Sequence, residues 1–161
     1  MNKNKIDSFL KEVAEENAMK RFSAIGAMFA RPGHKAAAFL LSNFVRLETA
    51  TDQILVSAGR DLALSIISEV FNSENKNALT KESYTLKDPA VFDIPTATFA
   101  VLVVHSALGY AGGSYLVFVT LKAVSETSTH VLLEGYARGL GNKLAAYVVK
   151  RTREQISACF H

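Results

Sequence analysis

The most regular hydrophobic pattern lies between residues 97 and 138, where three runs are rich in Val, Phe, Tyr and Thr. The runs read ATFAVLVVHS, SYLVFVTLKAV and THVLLEGYAR, and they are separated by LGYAGG and SETS. β-branched and aromatic residues bounded by Gly and Ser are typical of strands joined by short turns. The pattern predicts an antiparallel meander of three strands, and Tyr84 to Lys87 predicts a further short strand before it.

Apolar residues recur at helical spacing near both ends of the chain. Residues 5–29 predict an N-terminal helix whose first stripe contains Ile6 and Leu10, and the stripe changes phase near Asn17. After Gly139 the period is again helical, and the apolar positions are Leu144, Val148, Thr152 and Ile156. The sequence therefore predicts a long C-terminal helix that follows the meander directly.

The segment from residue 36 to residue 70 has two interpretations. In the preferred one, a strand ends near Thr49 and a helix starts at Thr51 or Asp52, because apolar residues recur at helical spacing up to Val70. In the other, ILVSAG (54–59) is a second strand and the helix starts at Arg60, since Gly59 would cost about 1 kcal/mol inside a helix. The periodicity leaves both interpretations open.

These elements predict an α+β fold in which an antiparallel β-meander sheet packs against the long C-terminal helix. The N-terminal and central helices are additions to that unit. A chain of 161 residues is long enough to bury a core without disulfides or metals. We predict an N-terminal helical extension over residues 1–34 and a single α+β domain over residues 35–161.

The predicted hairpins also place polar residues on one face of the sheet. We centre the first hairpin near Tyr110 and the second between Glu126 and Thr127, so that directly opposed residues share a face. Polar side chains then lie among apolar walls, a mixture typical of small-molecule cavities. The predicted ligand-binding residues are His105, Tyr115, Glu134, Tyr136 and Arg138. A metal site is disfavoured, since His105 and His130 would lie about 20 Å apart at roughly 3.3 Å per residue.

Two glycine-rich segments are candidate anion-binding loops. HSALGYAGGSY (105–115) joins a strand to a strand, so its glycines are explained by a hairpin turn. Residues 138–143 join a strand to a helix but match no phosphate-binding motif, and a capped connection explains them. The helix that follows is basic, and its candidate anion-binding residues are Lys143, Lys150, Arg151 and Arg153.

Composition narrows the class of protein. Hydrophobic residues make up 49% of the chain, but no apolar run approaches the roughly 20 residues of a membrane span. Cys159 is the one cysteine, which excludes an internal disulfide and fits a reducing, cytoplasmic location. KRFSAIGAMFA (20–30) imitates part of a signal peptide, but the acidic residues before it do not fit one. No motif names a reaction or a cofactor.

The segment from Gly139 to Phe160 resembles the end of the helix-grip (START/Bet v 1-like, polyketide cyclase) superfamily, and most of all its carbon-monoxide-dehydrogenase G-type members. The matching positions are Gly139, Leu140, Gly141, Leu144, Arg151, Gln155 and Phe160. The resemblance covers residues 94–160 and implies a sheet that grips the last helix around a cavity for a lipid, sterol-like or polyketide-like molecule. It transfers no catalytic residue. We count five strands where the superfamily has about seven, and the N-terminal helix is additional.

Three functions are expected from these features. The first is non-catalytic binding of a hydrophobic small molecule or lipid between the sheet and the C-terminal helix. The second is a structural module that forms a homo-oligomer, such as a homodimer, through the N-terminal helix or an apolar sheet face. The third is binding of an anionic surface through the basic helix, with a peripheral membrane favoured over nucleic acid.

Overall fold

A computed structural model describes residues 3–25, 45–72, 82–105, 113–139 and 143–161. Within these ranges the elements are, in chain order, α1 (Lys3–Ile25), β1 (Arg46–Val56), α2 (Arg60–Val70), β2 (Glu82–Lys87), a 3₁₀ turn (Pro89–Phe92), β3 (Phe99–His105), β4 (Ser114–Ser125), β5 (Ser128–Gly139) and α3 (Leu144–Ala158). No helix in these ranges is long and apolar enough to cross a membrane.

The five strands form one antiparallel sheet in the order β1-β5-β4-β3-β2. Strands β2 to β5 follow one another as a meander, and β1 adds to the open edge of β5. The runs of Val, Phe and Tyr form the central strands because a strand covered on both faces has to be apolar on both. The predicted α+β class, with a meander packed against a C-terminal helix, is confirmed.

One face of the sheet packs against α3 and α2. Val148, Val149 and Ile156 of α3 are buried in the same core as Val117 and Leu133 of the sheet. β5 approaches α3 closely at Gly135, where a Cβ atom would overlap Val149 Cγ2. The absence of a side chain at this position therefore lets the helix lie directly on the strand.

The opposite face packs against the first half of α1. Ile6 and Leu10 are buried there against apolar residues of the sheet. A row of aromatic rings connects α1 to the sheet, and each ring packs edge to face against the next. Successive ring centroids are 5.0, 5.6 and 5.7 Å apart, and the members of the row are Phe9, Phe92, Phe118 and Tyr136. The sheet thus lies between two helical layers. The predicted domain boundary at residue 34 lies outside the described residues and stays a prediction.

The preferred interpretation of residues 51–59 is wrong. β1 continues to Val56 and α2 begins at Arg60, with Gly59 as its N-cap residue. The strand is in register with β5 along its whole length, from Arg46 opposite Gly139 to Val56 opposite Thr129. Pairing with a distant strand therefore outweighs the helical spacing of the apolar residues, and the alternative start at Arg60 is correct.

The register of the first hairpin differs from the predicted one by two residues. Tyr115 lies opposite Val103, where we expected His105. A shift of two residues preserves the faces of both strands, because side chains alternate with a period of two. The faces predicted for β3 and β4 are therefore retained.

A bulge in the second hairpin exchanges the two faces of β5 relative to the prediction. Its turn lies at Glu126 and Thr127 as predicted, with Ser125 opposite Ser128, but the next pair is Ala123 opposite Thr129. β4 thus contains one extra residue, Val124, and the rest of β5 is displaced by one position. A displacement by one residue exchanges the two faces of a strand.

Candidate functional site

A cavity of about 270 Å³ lies between the sheet and α3. It is lined by residues of three strands and of α3: Glu82, Tyr84, Val103, Tyr115, Leu144, Tyr147, Val148, Arg151, Thr152 and Gln155. Most of the wall is apolar or aromatic, and the charged groups are concentrated at Glu82 and Arg151. The cavity therefore has an apolar body and a polar end.

Strand pairing and helix periodicity position these side chains. Tyr84 lies opposite Val103, and Val103 lies opposite Tyr115, so the three form one row across β2, β3 and β4. Glu82 is two residues before Tyr84 and projects from the same face. On α3, positions four residues apart share a face, and two such series line the cavity: Tyr147, Arg151 and Gln155, and Val148 and Thr152.

A connected set of polar contacts forms the polar end. Arg151 Nη1 lies 2.6 Å from Glu82 Oε1, in an ion pair between α3 and the edge strand β2. Tyr84 Oη donates to Glu82 Oε2 at 2.9 Å, and Gln155 Nε2 donates to Tyr84 Oη at 3.0 Å. Glu82 is only 6% exposed and the Arg151 side chain 24%. The buried carboxylate is thus compensated by a cation and a hydrogen bond, as a buried charge has to be.

Burial and the Glu82 carboxylate keep the phenols of Tyr84 and Tyr115 neutral. Burial raises the pKa of Tyr115, and the negative charge of Glu82 raises it further. Burial is also the main reason that the pKa of Tyr84 is raised, and the hydrogen bond to Glu82 acts in the same direction. Both hydroxyl groups are therefore neutral hydrogen-bonding groups at physiological pH.

The raised tyrosine pKa values predict loss of stability at alkaline pH. On the other face of the sheet, burial and the hydrogen bond to Glu134 raise the pKa of Tyr136 as well. Because tyrosines of the unfolded chain release their protons near pH 10, the contribution of these tyrosines to the free energy of unfolding should be constant below about pH 9 and fall above about pH 10. Urea unfolding followed by circular dichroism across this range measures the decrease. Tyr115→Phe should reduce the decrease, and equal decreases in wild type and Tyr115→Phe would contradict the assignment.

The five residues predicted to bind a ligand do not share one face. Tyr115 lines the cavity. His105 is paired with Glu82 in the strand register, and its side chain lies outside the described part of the chain. Because of the bulge, Glu134, Tyr136 and Arg138 lie on the α1 side of the sheet, which corrects the predicted arrangement.

On the α1 side these three residues make contacts of their own. Tyr136 Oη donates a hydrogen bond to Glu134 Oε1. Arg138 Nε lies 3.0 Å from Asp7 Oδ1 of α1, in an ion pair that joins the helix to β5. Glu134 also lines a second, more open concavity with Thr51 and Asp52. A ligand-binding role of these three residues stays a prediction.

Several residues of the cavity wall were not predicted as site residues, among them Glu82, Tyr84, Tyr147 and Gln155. The polar composition of residues 71–83 is typical of a loop, but β2 begins at Glu82. On β2, the available signal was the spacing of two between Glu82 and Tyr84 in ESYTLK, which places both side chains on one face. On α3, the spacing of four between Tyr147, Arg151 and Gln155 was the signal, and it identifies a stripe beside the buried one.

Three of the four predicted anion-binding residues have acidic partners within the described part of the chain. Arg151 pairs with Glu82 in the cavity wall, and Arg153 Nε lies 3.9 Å from Asp52 Oδ2. Lys150 Nζ lies 4.0 Å from Glu154 Oε1, and Lys143 precedes the first turn of α3. These four residues do not form one basic patch, because Arg151 faces the cavity.

A carboxylate of this chain occupies the start of α3. Glu48 Oε2 accepts hydrogen bonds from the backbone N–H groups of Leu144 and Ala145, at 2.9 and 3.2 Å. The first amides of a helix are the groups that a bound anion would use. Among the described residues, no group of three or more His, Cys, Asp or Glu side chains is placed to hold a metal ion.

No family model matches the chain, and no curated protein matches it. Among solved structures, the chain is similar to the di-domain ARO/CYC BexL from the BE-7585A biosynthetic pathway, at 16% identity and a TM-score of 0.43, over 70% of this chain and 45% of that chain. A conserved protein from Geobacillus kaustophilus matches at 12% identity and a TM-score of 0.42, over 70% of this chain and 91% of that chain. A START superfamily protein from Mycobacterium smegmatis matches at 11% identity and a TM-score of 0.35, over 69% of this chain and 92% of that chain.

The match covers less than half the length of BexL. With identities of 16% or less and TM-scores below 0.5, these similarities carry no conclusion about this chain. The resemblance of the C-terminal sequence to the helix-grip superfamily, and to its carbon-monoxide-dehydrogenase G-type members in particular, stays a prediction.

Proposed function

We propose that this protein binds an apolar small molecule in the cavity between the sheet and α3, without catalysing a reaction. The observation that carries the proposal is the cavity itself, because its wall is mostly apolar or aromatic and its charged groups converge at one end. Its apolar body fits a hydrophobic ligand, and its polar end fits one polar group of that ligand. Pockets for drug-sized ligands span roughly 300–1,000 Å³, so a cavity of about 270 Å³ fits a small ligand or one end of a longer one such as a lipid.

A neutral fluorescent probe tests the proposal. We expect 2-naphthol to bind the wild-type protein saturably with one site, as measured by its fluorescence and by calorimetry. Val148→Phe places a ring into the cavity and should weaken binding by at least about tenfold, because the added side chain takes the volume of the probe. Val124→Phe, at an exposed position of β4, is the matched control and should bind as the wild type does.

Two outcomes would contradict this proposal. One is the absence of saturable 2-naphthol binding to the wild type. The other is unchanged binding to a Val148→Phe protein that circular dichroism shows to be folded.

The other two functions stay predictions. Ile6 and Leu10, the first apolar stripe of α1, pack against the sheet of their own chain and offer no surface to a second copy. The basic residues of α3 are divided between the cavity and pairs with acidic residues. Neither observation favours a homo-oligomer or binding of an anionic surface over a cavity ligand.

A further inference from the structure

The polar end of the cavity contains one cation and one anion in direct contact. Arg151 Nη1 and Glu82 Oε1 are 2.6 Å apart, and Glu82 is almost fully buried. Tyr84 donates to the second carboxylate oxygen, and Gln155 supports Tyr84. Among the other described lining residues, Tyr115, Tyr147 and Thr152 carry hydroxyl groups. The described residues of the cavity wall thus contribute one positive and one negative formal charge, which cancel.

The ion pair between Arg151 and Glu82 restricts the head group of a ligand. A carboxylate that approached Arg151 would also approach Glu82, and two carboxylates at such a distance repel each other. To avoid the repulsion, the ligand would have to displace Glu82 from Arg151, which would leave a buried carboxylate without its cation. An anionic head group thus gains the attraction of Arg151 only by losing an equivalent contact within the protein.

A neutral head group meets no such cost. Arginine has five N–H donors, and the ion pair with Glu82 engages Nη1, so a hydroxyl, amide or carbonyl group can accept from the guanidinium while the pair stays intact. The tyrosine hydroxyls and the Gln155 amide can both donate and accept. The lining therefore matches a ligand that is neutral and carries a donor, an acceptor or both.

We propose that the cavity selects ligands with a neutral polar head group over ligands with a carboxylate, and that Glu82 is the residue that sets this selectivity. The inference rests on the proposed function, since it concerns the ligand of the same cavity. Selectivity is the difference between the affinities for two ligands, and the attractive group, Arg151, is present for the neutral ligand and for the carboxylate. What distinguishes the two ligand classes is the repulsive group.

Two probes with the same apolar body test the selectivity. 2-Naphthamide and 2-naphthoate have nearly the same shape and differ in head-group charge. We expect the wild-type protein at neutral pH to bind the amide at least about tenfold more tightly than the carboxylate, as measured by calorimetry. In Glu82→Gln the Arg151 cation has no carboxylate partner, so the affinity ratio should move toward 2-naphthoate by at least about tenfold.

The matched control is Glu154→Gln, which removes one negative charge from the solvent-exposed side of the same helix α3. Its affinity ratio should equal that of the wild type, which separates a contact at Glu82 from the net charge of the protein. Glu82→Gln must be checked for folding by circular dichroism. If Glu82→Gln does not fold, the ratio of the wild-type affinities for 2-naphthamide and 2-naphthoate decides whether the cavity is selective.

Equal affinities, or a preference of the wild type for 2-naphthoate, would overturn the inference and leave the proposed function standing. An unchanged ratio in folded Glu82→Gln would likewise remove Glu82 from its assigned role. If neither probe binds to the wild type or to Glu82→Gln, both the inference and the proposed function are wrong.

Discussion

Replacing Phe118 by alanine should lower the free energy of unfolding by about 3–5 kcal/mol. Phe118 is 2% exposed and lies on β4, between β5 and β3 in the sheet. Its ring contacts those of Phe92 and Tyr136 edge to face, with centroids 5.6 and 5.7 Å apart. Truncation removes both contacts and leaves a cavity whose walls are held by the sheet, so the structure can relax only in part.

Urea unfolding measures this loss, and the same strand provides the control. Val124 lies on β4 and is 62% exposed, so Val124→Ala should change the free energy of unfolding by no more than about 0.5 kcal/mol. A loss below about 1 kcal/mol in Phe118→Ala would show that the aromatic row contributes little to the stability of the fold.

Replacing Leu10 by alanine should lower the free energy of unfolding by about 2–5 kcal/mol, because the side chain is 1% exposed and packs against the sheet. The expected result includes a single cooperative transition, in which α1 and the sheet unfold together. Lys11→Ala, at the neighbouring exposed position, is the control and should be nearly neutral.

The same experiment tests whether residues 1–34 are an extension of the domain. If α1 is dispensable for the folding of the sheet, Leu10→Ala should release the helix without a change in the main transition. Circular dichroism would then show a small loss of helix, and the urea midpoint would stay at its wild-type value. That outcome would contradict the prediction for Leu10.

The sequence predicted those elements that depend on local pattern. β3, β4 and β5 are continuous runs of β-branched and aromatic residues, and α3 has one buried stripe at helical spacing, so each element was recognisable by itself. β1 was recognised only as far as Thr49, because Leu55 and Leu62 fit a helical spacing that only the pairing with β5 overrides. A pairing between strands that are distant in the chain leaves no local signal.

The candidate site was predicted only in part, because contacts between elements that are distant in the chain leave no local signal. Tyr115 was identified because it lies beside a hairpin whose position the glycines indicate. Glu82 and Arg151 were not connected, since their contact depends on β2 forming the edge of the sheet and on the Arg151 side chain of α3 reaching that strand. The faces of Glu134 and Tyr136 depend on a bulge that has no marked sequence signature, because Val124 is an exposed residue of ordinary type.

The bulge at Val124 decides which face of β5 each side chain occupies. Because Ala123 pairs with Thr129, Glu134 and Tyr136 lie on the α1 side; if Val124 paired with Thr129 instead, they would face α3 and Leu133 would face α1. Deleting Val124 would remove the unpaired residue and keep the pairing of Ala123 with Thr129. Val124 is therefore a position where the chain can lose one residue without exchanging the faces of β5.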